Sequence, residues 1–342
     1  MTQAFREDRL CNDMAGISEE NLSGKISSMK VFSIVVPVYF NEPNLADTVP
    51  QLLALAGALQ GYKLELIFVD DGSGDNSLNL LLEYRAKHPE TIKAVKLTRN
   101  FGTMAALQAG LTVATGDCLG VIAADLQDPP EMFVEMIRHW ENGVKAVFGV
   151  RQDRDEPFLQ KALANSFYSL VRRFAIPDYP NGGFDFFLID RQLVDEVNRI
   201  REKNVNLLTL VFWLGFKPVL LPYIRRKREK GRSRWTFSKK IKLFVDTFVA
   251  FSYLPIRAFS TIGFGVATAS FIYGAFILYS YFFRGIDVRG YAPIMLVMTF
   301  TSGIQMTMLG VLGEYLWRAL DEARRRPPYV IDEIYDEMKE RA

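Results

Sequence analysis

From residue 31 onward, short apolar runs alternate with amphipathic stretches of helical length, which is the pattern of an α/β fold. VFSIVVPVY over Val31–Tyr39 reads as the first strand, apolar on both faces, as a sheet covered by helices requires. The next strands are LELIFVDD, ending at Asp71, TIKAVKLT, ending at Thr98, CLGVIAAD, ending at Asp125, and KAVFGVR, ending at Arg151. Helices are predicted between them over 43–59, 76–87, 103–114 and 130–140. Asp70, Asp71, Asp125 and Arg151 then all fall at the carboxyl ends of strands, the edge where ligands bind in an open α/β sheet.

Further along, the pattern changes. No charged residue lies between Arg257 and Arg284, and a second uncharged stretch runs from Gly290 to Gly313. At ~1.5 Å rise per residue each is long enough for ~30 Å of hydrocarbon. Two adjacent membrane spans joined by RGIDVRG are predicted, although a buried helical hairpin would share the composition. The outer flanks are basic while the linker carries Arg284 and Arg289, so the positive-inside rule puts both flanks in the cytoplasm. TFSKKIKLFVDTFVAFSYLP, just before the first span, mixes basic and apolar positions as an interfacial helix does. Residues 1–30 lack the apolar segment of a signal peptide and read as a mobile leader. Small residues at Gly265 and Ala269 suit close helix contact, within the chain or in a homo-oligomer.

The net charge is +2 and the chain has two cysteines, Cys11 and Cys118. That balance gives no case for nucleic-acid binding, and two unpaired-spacing cysteines give none for a thiolate metal site. His88 and His139 stand in charged helical surroundings far from any ligand spacing. Neither a GxGxxG nor a GxxxxGK[ST] pattern is present, so dinucleotide and P-loop sites lack their signatures.

Two strand-end segments carry candidate chemistry. DDGSGDNS over Asp70–Ser77 is a sharp turn with Asp75 or Asn76 to cap the next helix; Ser73 and Ser77 would be explained by the turn alone. Asp70 and Asp71 would repel each other in a crevice unless they accepted donors, which the base and ribose of a nucleoside supply. ADLQDPPE over Ala124–Glu131 offers Asp125 and Gln127 as hard oxygen ligands for Mg²⁺ or Mn²⁺, with a nucleotide diphosphate completing the shell. Arg151 and the basic run from Arg225 onward provide guanidinium donors for phosphate.

These segments resemble the family 2 glycosyltransferases of GT-A fold, in particular those that act on polyprenyl phosphates. VVPVYFNE, with Pro37, Tyr39 and Glu42, resembles the family's first-strand motif; VDDGSGDNS resembles its second, LTRNFG its third and ADLQDPPE its metal-binding segment. The resemblance extends to FGVRQDRDEP, FDFFLIDR and YIRRKREKGRSRW. It implies a GT-A catalytic domain over 31–228, a basic loop and interfacial region over 229–256, a two-span membrane region over 257–318 and a cytoplasmic tail over 319–342. It also implies a nucleotide site of Pro37, Tyr39, Glu42, Asp70, Asp71, Arg225 and Ser233, and a metal held by Asp125 and Gln127. Arg151, Arg154 and Lys161 are implied for an acceptor phosphate, and Asp125, Arg151, Asp185 and Arg228 for catalysis.

The implied reaction is inverting transfer of one hexose, glucose from UDP-glucose, to polyprenyl phosphate at the cytoplasmic face of the cell's inner membrane. GDP-mannose, UDP-galactose or a UDP-amino sugar would use the same motifs. A membrane-tethered nucleotide sensor would share the nucleotide motifs but not the cations arranged for a second phosphate. The sequence departs from the family at Ala123, where an aspartate is common, and at Phe187, where an arginine is common. Gly231 stands where polymerising enzymes place the glutamine of QxxRW, which favours single transfer.

Overall fold

A computed structural model describes residues 29–151, 169, 171–173, 176, 179–180, 184, 186–200, 206–226, 254–283 and 290–336. Its first half alternates as the sequence predicts: β1 Lys30–Val38, α1 Glu42–Ala58, β2 Tyr62–Asp70, α2 Ser77–Lys87, β3 Ile92–Leu97, α3 Thr103–Val113, β4 Cys118–Val121, α4 Met132–Glu141 and β5 Ala146–Arg151. Then follow β6 Phe186–Asp190, α5 Arg191–Arg199, α6 Leu207–Trp213, β7 Val219–Tyr223, α7 Leu254–Phe283, α8 Tyr291–Ala323 and β8 Ile331–Tyr335.

The strands form one mixed sheet in the order β7-β5-β6-β4-β1-β2-β3-β8. β6 and β8 run against the others, so β1 to β5 and β7 all end on one edge. Chain order reverses between β1 and β4, which opens the crevice where such sheets bind ligands. Alternate residues on each strand feed two cores. Val35, Ile67, Val69 and Val95 meet Leu107, Leu193 and Val211 from α3, α5 and α6. On the other face Ile34, Val36, Leu66 and Phe68 meet Leu45, Leu52, Leu81 and Phe133 from α1, α2 and α4. This is a GT-A-like α/β arrangement. A Cβ at Gly110 would stand 2.3 Å from Val35 Cγ1, so only glycine lets α3 lie this close to β1.

One predicted strand is cut short. β4 stops at Val121, leaving Asp125 on a turn beyond it rather than at the strand's last position. The apolar run continues to Ala124, but Thr48 Oγ1 donates to the Ala124 carbonyl at 2.8 Å and draws the backbone away from the sheet. Phe187, at the family's arginine position, is fully buried in the core on β6.

The end of the chain also differs from the tail predicted from sequence. After α8 the backbone returns to the sheet, where β8 pairs antiparallel with β3. Lys96 bonds Asp332, Lys93 joins both Glu65 (2.9 Å) and Asp336 (3.0 Å), and Thr98 N–H donates to the Val330 carbonyl at 3.0 Å. Between these ends stand α7 and α8, of 30 and 33 residues, with large apolar side chains bare to the surroundings, such as Phe271 at 80% exposure. Among the described residues, only α7 contains a stretch, 256–273, long and apolar enough to cross a membrane by length and composition. The predicted pair of spans is therefore met by one qualifying helix and a longer, less apolar neighbour.

Candidate active site

The loops at the ends of β1, β2 and β3 are fastened to one another. Phe40, at φ 54, donates its N–H to Ser73 Oγ at 3.0 Å, and Asn41 N–H donates to Ser77 Oγ at 3.0 Å. Glu42 Oε2 accepts the Asn76 N–H at 3.1 Å. Asp75 Oδ1 accepts both the hydroxyl and the N–H of Ser77, at 2.6 and 3.2 Å, so Asp75 rather than Asn76 supplies the side-chain acceptor at the start of α2. Gly72 has φ 67, and a Cβ there would lie 2.7 Å from the backbone of Arg99 and Asn100. Pro37 points toward β4 beyond the last paired position, Val35 with Val121, so its missing N–H removes no ladder bond. The Tyr39 and Phe40 rings meet edge to face, 4.8 Å between centroids.

Asp70 and Asp71, each 2% exposed, are treated differently. Asp71 is committed: Oδ1 accepts the Phe101 N–H at 2.7 Å and Oδ2 the Gly102 N–H at 2.9 Å. Asp70 Oδ2 accepts the Ser73 N–H at 3.2 Å, while its Oδ1 is buried with no hydrogen-bond partner. Burial raises the pKa of both carboxyls; the Ser73 hydrogen bonds offset part of that at Asp70, and those of Phe101 and Gly102 part of it at Asp71.

The Asp125–Asp128 turn follows β4, the neighbour of β1 in the sheet. Leu126 adopts φ 52 and Asp125 Oδ1 accepts the Gln127 N–H at 3.3 Å. The turn is stitched to the segment after β7: Arg226 N–H donates to the Gln127 carbonyl at 2.9 Å, and Gln127 Nε2 donates to the Arg226 carbonyl at 3.3 Å. Arg226 also pairs with Glu131. Beneath this stitching Asp128 is 0% exposed. Its Oδ1 accepts the Tyr223 hydroxyl and lies 3.8 Å from Arg225 Nε, and its Oδ2 has no hydrogen-bond partner. The Arg151 guanidinium lies beside the same Tyr223 hydroxyl, where its charge opposes the rise that burial and Asp128 impose on the phenol. Burial lowers the pKa of the Arg225 guanidinium, the Arg151 charge lowers it further, and Asp128 and Asp125 act the other way.

The structure thus brings Asp125, Gln127, Arg151 and Arg225 to one side of the crevice, with Asp70, Asp71 and the Tyr39–Glu42 loop on the other. Arg154, Lys161, Asp185, Arg228 and Ser233 lie outside the described residues. Asp128 and Tyr223 were not among the predicted site residues. Tyr223 entered only as the first position of a motif, and Asp128 only as a letter between Gln127 and two prolines. Among the described residues no three His, Cys, Asp or Glu side chains gather as a ligand set. Asp125 and Gln127 provide two hard oxygens suited to Mg²⁺ or Mn²⁺, and the remaining ligands would come from diphosphate and water.

Residues 33–197 match the model of glycosyl transferase family 2. The uncharacterized glycosyltransferase YkcC of Bacillus subtilis is 37% identical over 89% of this chain and 94% of its own. The prophage bactoprenol glucosyl transferase homolog of Escherichia coli is 34% identical over 90% of this chain and 99% of its own. The SfII prophage-derived bactoprenol glucosyl transferase of Shigella flexneri is 33% identical over 89% and 97%. Among solved structures, glucosyl-3-phosphoglycerate synthase from Mycobacterium tuberculosis, with Mn²⁺, UDP-glucose and phosphoglyceric acid, aligns over 64% of this chain and 79% of that one. Its identity is 16% and its TM-score 0.46, too distant a likeness to carry function across.

Proposed function

Since this chain belongs to the family 2 glycosyltransferases, we propose that it transfers a single glucose from UDP-glucose to a polyprenyl phosphate at a membrane surface. The observation that carries this reading is the extent of the match. Relatives named bactoprenol glucosyl transferases align with about nine-tenths of the chain, a span that cannot be reached without the long helices as well as the sheet.

The crevice suits the chemistry. A phosphate monoester with a second pKa near ~6 is largely ionised at neutral pH, so the acceptor oxygen needs no strong base. Its attack on the anomeric carbon forms the new C–O bond, inverts the centre and expels UDP. The enzyme's work is then alignment and charge neutralisation. Asp70, with an open buried oxygen, would take a donor from the nucleoside, while Asp71 holds the neighbouring loop that shapes the pocket. The aromatic pair at Tyr39, with Pro37 and Glu42, borders the same pocket. Arg225 faces the donor diphosphate and Arg151 the acceptor phosphate. Arg154 and Lys161 are assigned to the acceptor, Ser233 to the nucleotide and Arg228 to the leaving group, on their motif positions, and Asp185 to orienting substrate. Asp125 and Gln127 would hold the Mg²⁺ or Mn²⁺, which when bound neutralises the diphosphate.

Both long helices are read as a membrane hairpin, in the cell's inner membrane, with the catalytic sheet in the cytoplasm. The return of β8 to β3 supports this. A chain that leaves the sheet side through α7 and comes back to the same sheet after α8 makes an even number of crossings. The basic residues Arg324, Arg325 and Arg326 directly after α8 fit the cytoplasmic side.

The test is product analysis. Purified protein in lipid vesicles receives polyprenyl phosphate, Mg²⁺ or Mn²⁺, and in separate arms UDP-glucose, UDP-galactose, UDP-N-acetylglucosamine or GDP-mannose. A glucosyl lipid monophosphate is expected. Product from another donor alone would overturn the choice of glucose, long polysaccharide would overturn single transfer, and no lipid-linked sugar in any arm would overturn the reaction.

A further inference from the structure

Arg151 and Tyr223 are register partners at the last positions of β5 and β7. Asp128 comes from a turn 95 positions earlier than Tyr223, yet it and Tyr223, both buried, gather with the half-buried Arg151 and Arg225 in one cluster. The two hydrogen bonds between Gln127 and Arg226, one from the Arg226 N–H and one from the Gln127 side-chain amide, leave that carboxylate little freedom to move away. As a stabilising ion pair the arrangement is poor. A buried carboxylate with one oxygen lacking any hydrogen bond carries a desolvation penalty that a single contact does not offset. The Arg225 Nε contact, at 3.8 Å, is beyond hydrogen-bond length. That Nε is itself buried without a hydrogen-bond partner. Two guanidiniums near one carboxylate repel each other, and burial with the Arg151 charge lowers the Arg225 pKa accordingly. An incoming anion relieves this repulsion, and a phosphate oxygen is the anion this crevice meets.

We propose that Asp128, linked through the Tyr223 hydroxyl, is a positioning residue that holds the Arg151 and Arg225 guanidiniums together for the two phosphate groups of the reaction. It rests on the sugar-transfer reading above. Asp128 touches neither substrate. It acts on Arg151 through the hydroxyl relay and on Arg225 directly through charge, so the two routes separate genetically. Tyr223→Phe removes the relay to Arg151 without changing ring volume and leaves Asp128 facing Arg225. Asp128→Asn removes the charge that both routes share.

The full chain in vesicles is assayed for KM of each substrate and for kcat, and inorganic pyrophosphate binding is measured by calorimetry without turnover. Tyr223→Phe is expected to raise the KM for polyprenyl phosphate about tenfold, the loss of one hydrogen bond to a charged group, with the KM for the sugar nucleotide within about twofold. Asp128→Asn is expected to raise both KM values and to weaken pyrophosphate binding about tenfold, on the same arithmetic. Wild-type constants in Tyr223→Phe, or equal rises in both its KM values, would overturn the proposal, as would unchanged pyrophosphate affinity in a folded Asp128→Asn. If Asp128→Asn does not fold, Tyr223→Phe alone decides. If the wild type makes no lipid-linked sugar, the reaction assigned above fails, while pyrophosphate affinity still reads the positioning role.

Discussion

Substituting Asp70 and Asp71 one at a time by asparagine separates two carboxylates that are adjacent in sequence and equally buried. At Asp71 the two oxygens accept backbone N–H groups of Phe101 and Gly102 at 2.7 and 2.9 Å. Asparagine keeps one acceptor and turns an NH₂ toward the other N–H, so one buried donor loses its partner at a cost of about 1–3 kcal/mol. For a domain of this size each kcal/mol moves Tm by about 2–4 °C, so Asp71→Asn should lower Tm by roughly 5 °C. At Asp70 the fold uses one oxygen, for the Ser73 N–H. Burial raises this carboxyl's pKa, which means the ionised form is disfavoured in the fold and its contribution to stability improves as pH falls. Removing the charge should therefore leave Tm unchanged or slightly higher. The same change deletes the open anionic oxygen assigned to the nucleoside, and losing one charge-assisted hydrogen bond weakens UDP binding about tenfold or more. Differential scanning fluorimetry and UDP calorimetry on both variants give the two axes. A destabilised Asp70→Asn with normal UDP affinity, beside a fully stable Asp71→Asn, would refute the division of labour.

Asp125→Asn should reduce sugar transfer at limiting Mg²⁺ or Mn²⁺ far more than it lowers Tm, and a chelator should stop wild-type turnover; turnover indifferent to the chelator would remove the metal from the site. Glu65 is buried among Ser33, Thr115 and Lys93; burial opposes its charge, but these hydrogen bonds lower its pKa overall. Its contribution is therefore present above the ordinary glutamate range and lost as pH falls through the lowered value. Urea midpoints followed from pH 7 to strongly acid conditions should show a flatter acid limb for Glu65→Gln than for wild type. Cysteine labelling with one thiol in 284–289 and another beyond β8 should report opposite sides of the bilayer, and labels on one side would reject the hairpin.

The alternation of apolar runs made the strand-helix order readable because both faces of β1 and β2 are covered. The runs LIFV and VVPV admit few other placements. That Asp70 and Asp71 need partners was readable for the same reason, since a carboxylate directly after a buried strand has to be justified by one. What that reasoning could not resolve was whose partner it is. Asp71 is satisfied by backbone amides 30 residues away, and no local pattern announces that. Asp128 and Tyr223 were illegible in a stronger sense, because their meaning arises only when β7 lies beside β5. β8 was hidden by composition. IDEIY at the end of a charged segment has the alternation of a half-exposed strand, but its pairing partner lies more than 230 positions earlier, as the Lys96–Asp332 contact shows. The second long helix read as a span because it lacks charge up to Gly313, and it runs on past that point through Glu314, Arg318, Asp321 and Glu322.

Strand β8 is encoded after α8, so the ribosome delivers it only once both long helices have emerged. Until then β3 presents a row of unpaired N–H and C=O groups, a template that another chain can occupy. The sheet can thus be closed by its own strand only after both long helices ahead of it have been made. A nascent chain stalled at that step would carry a nearly finished catalytic half with one raw edge.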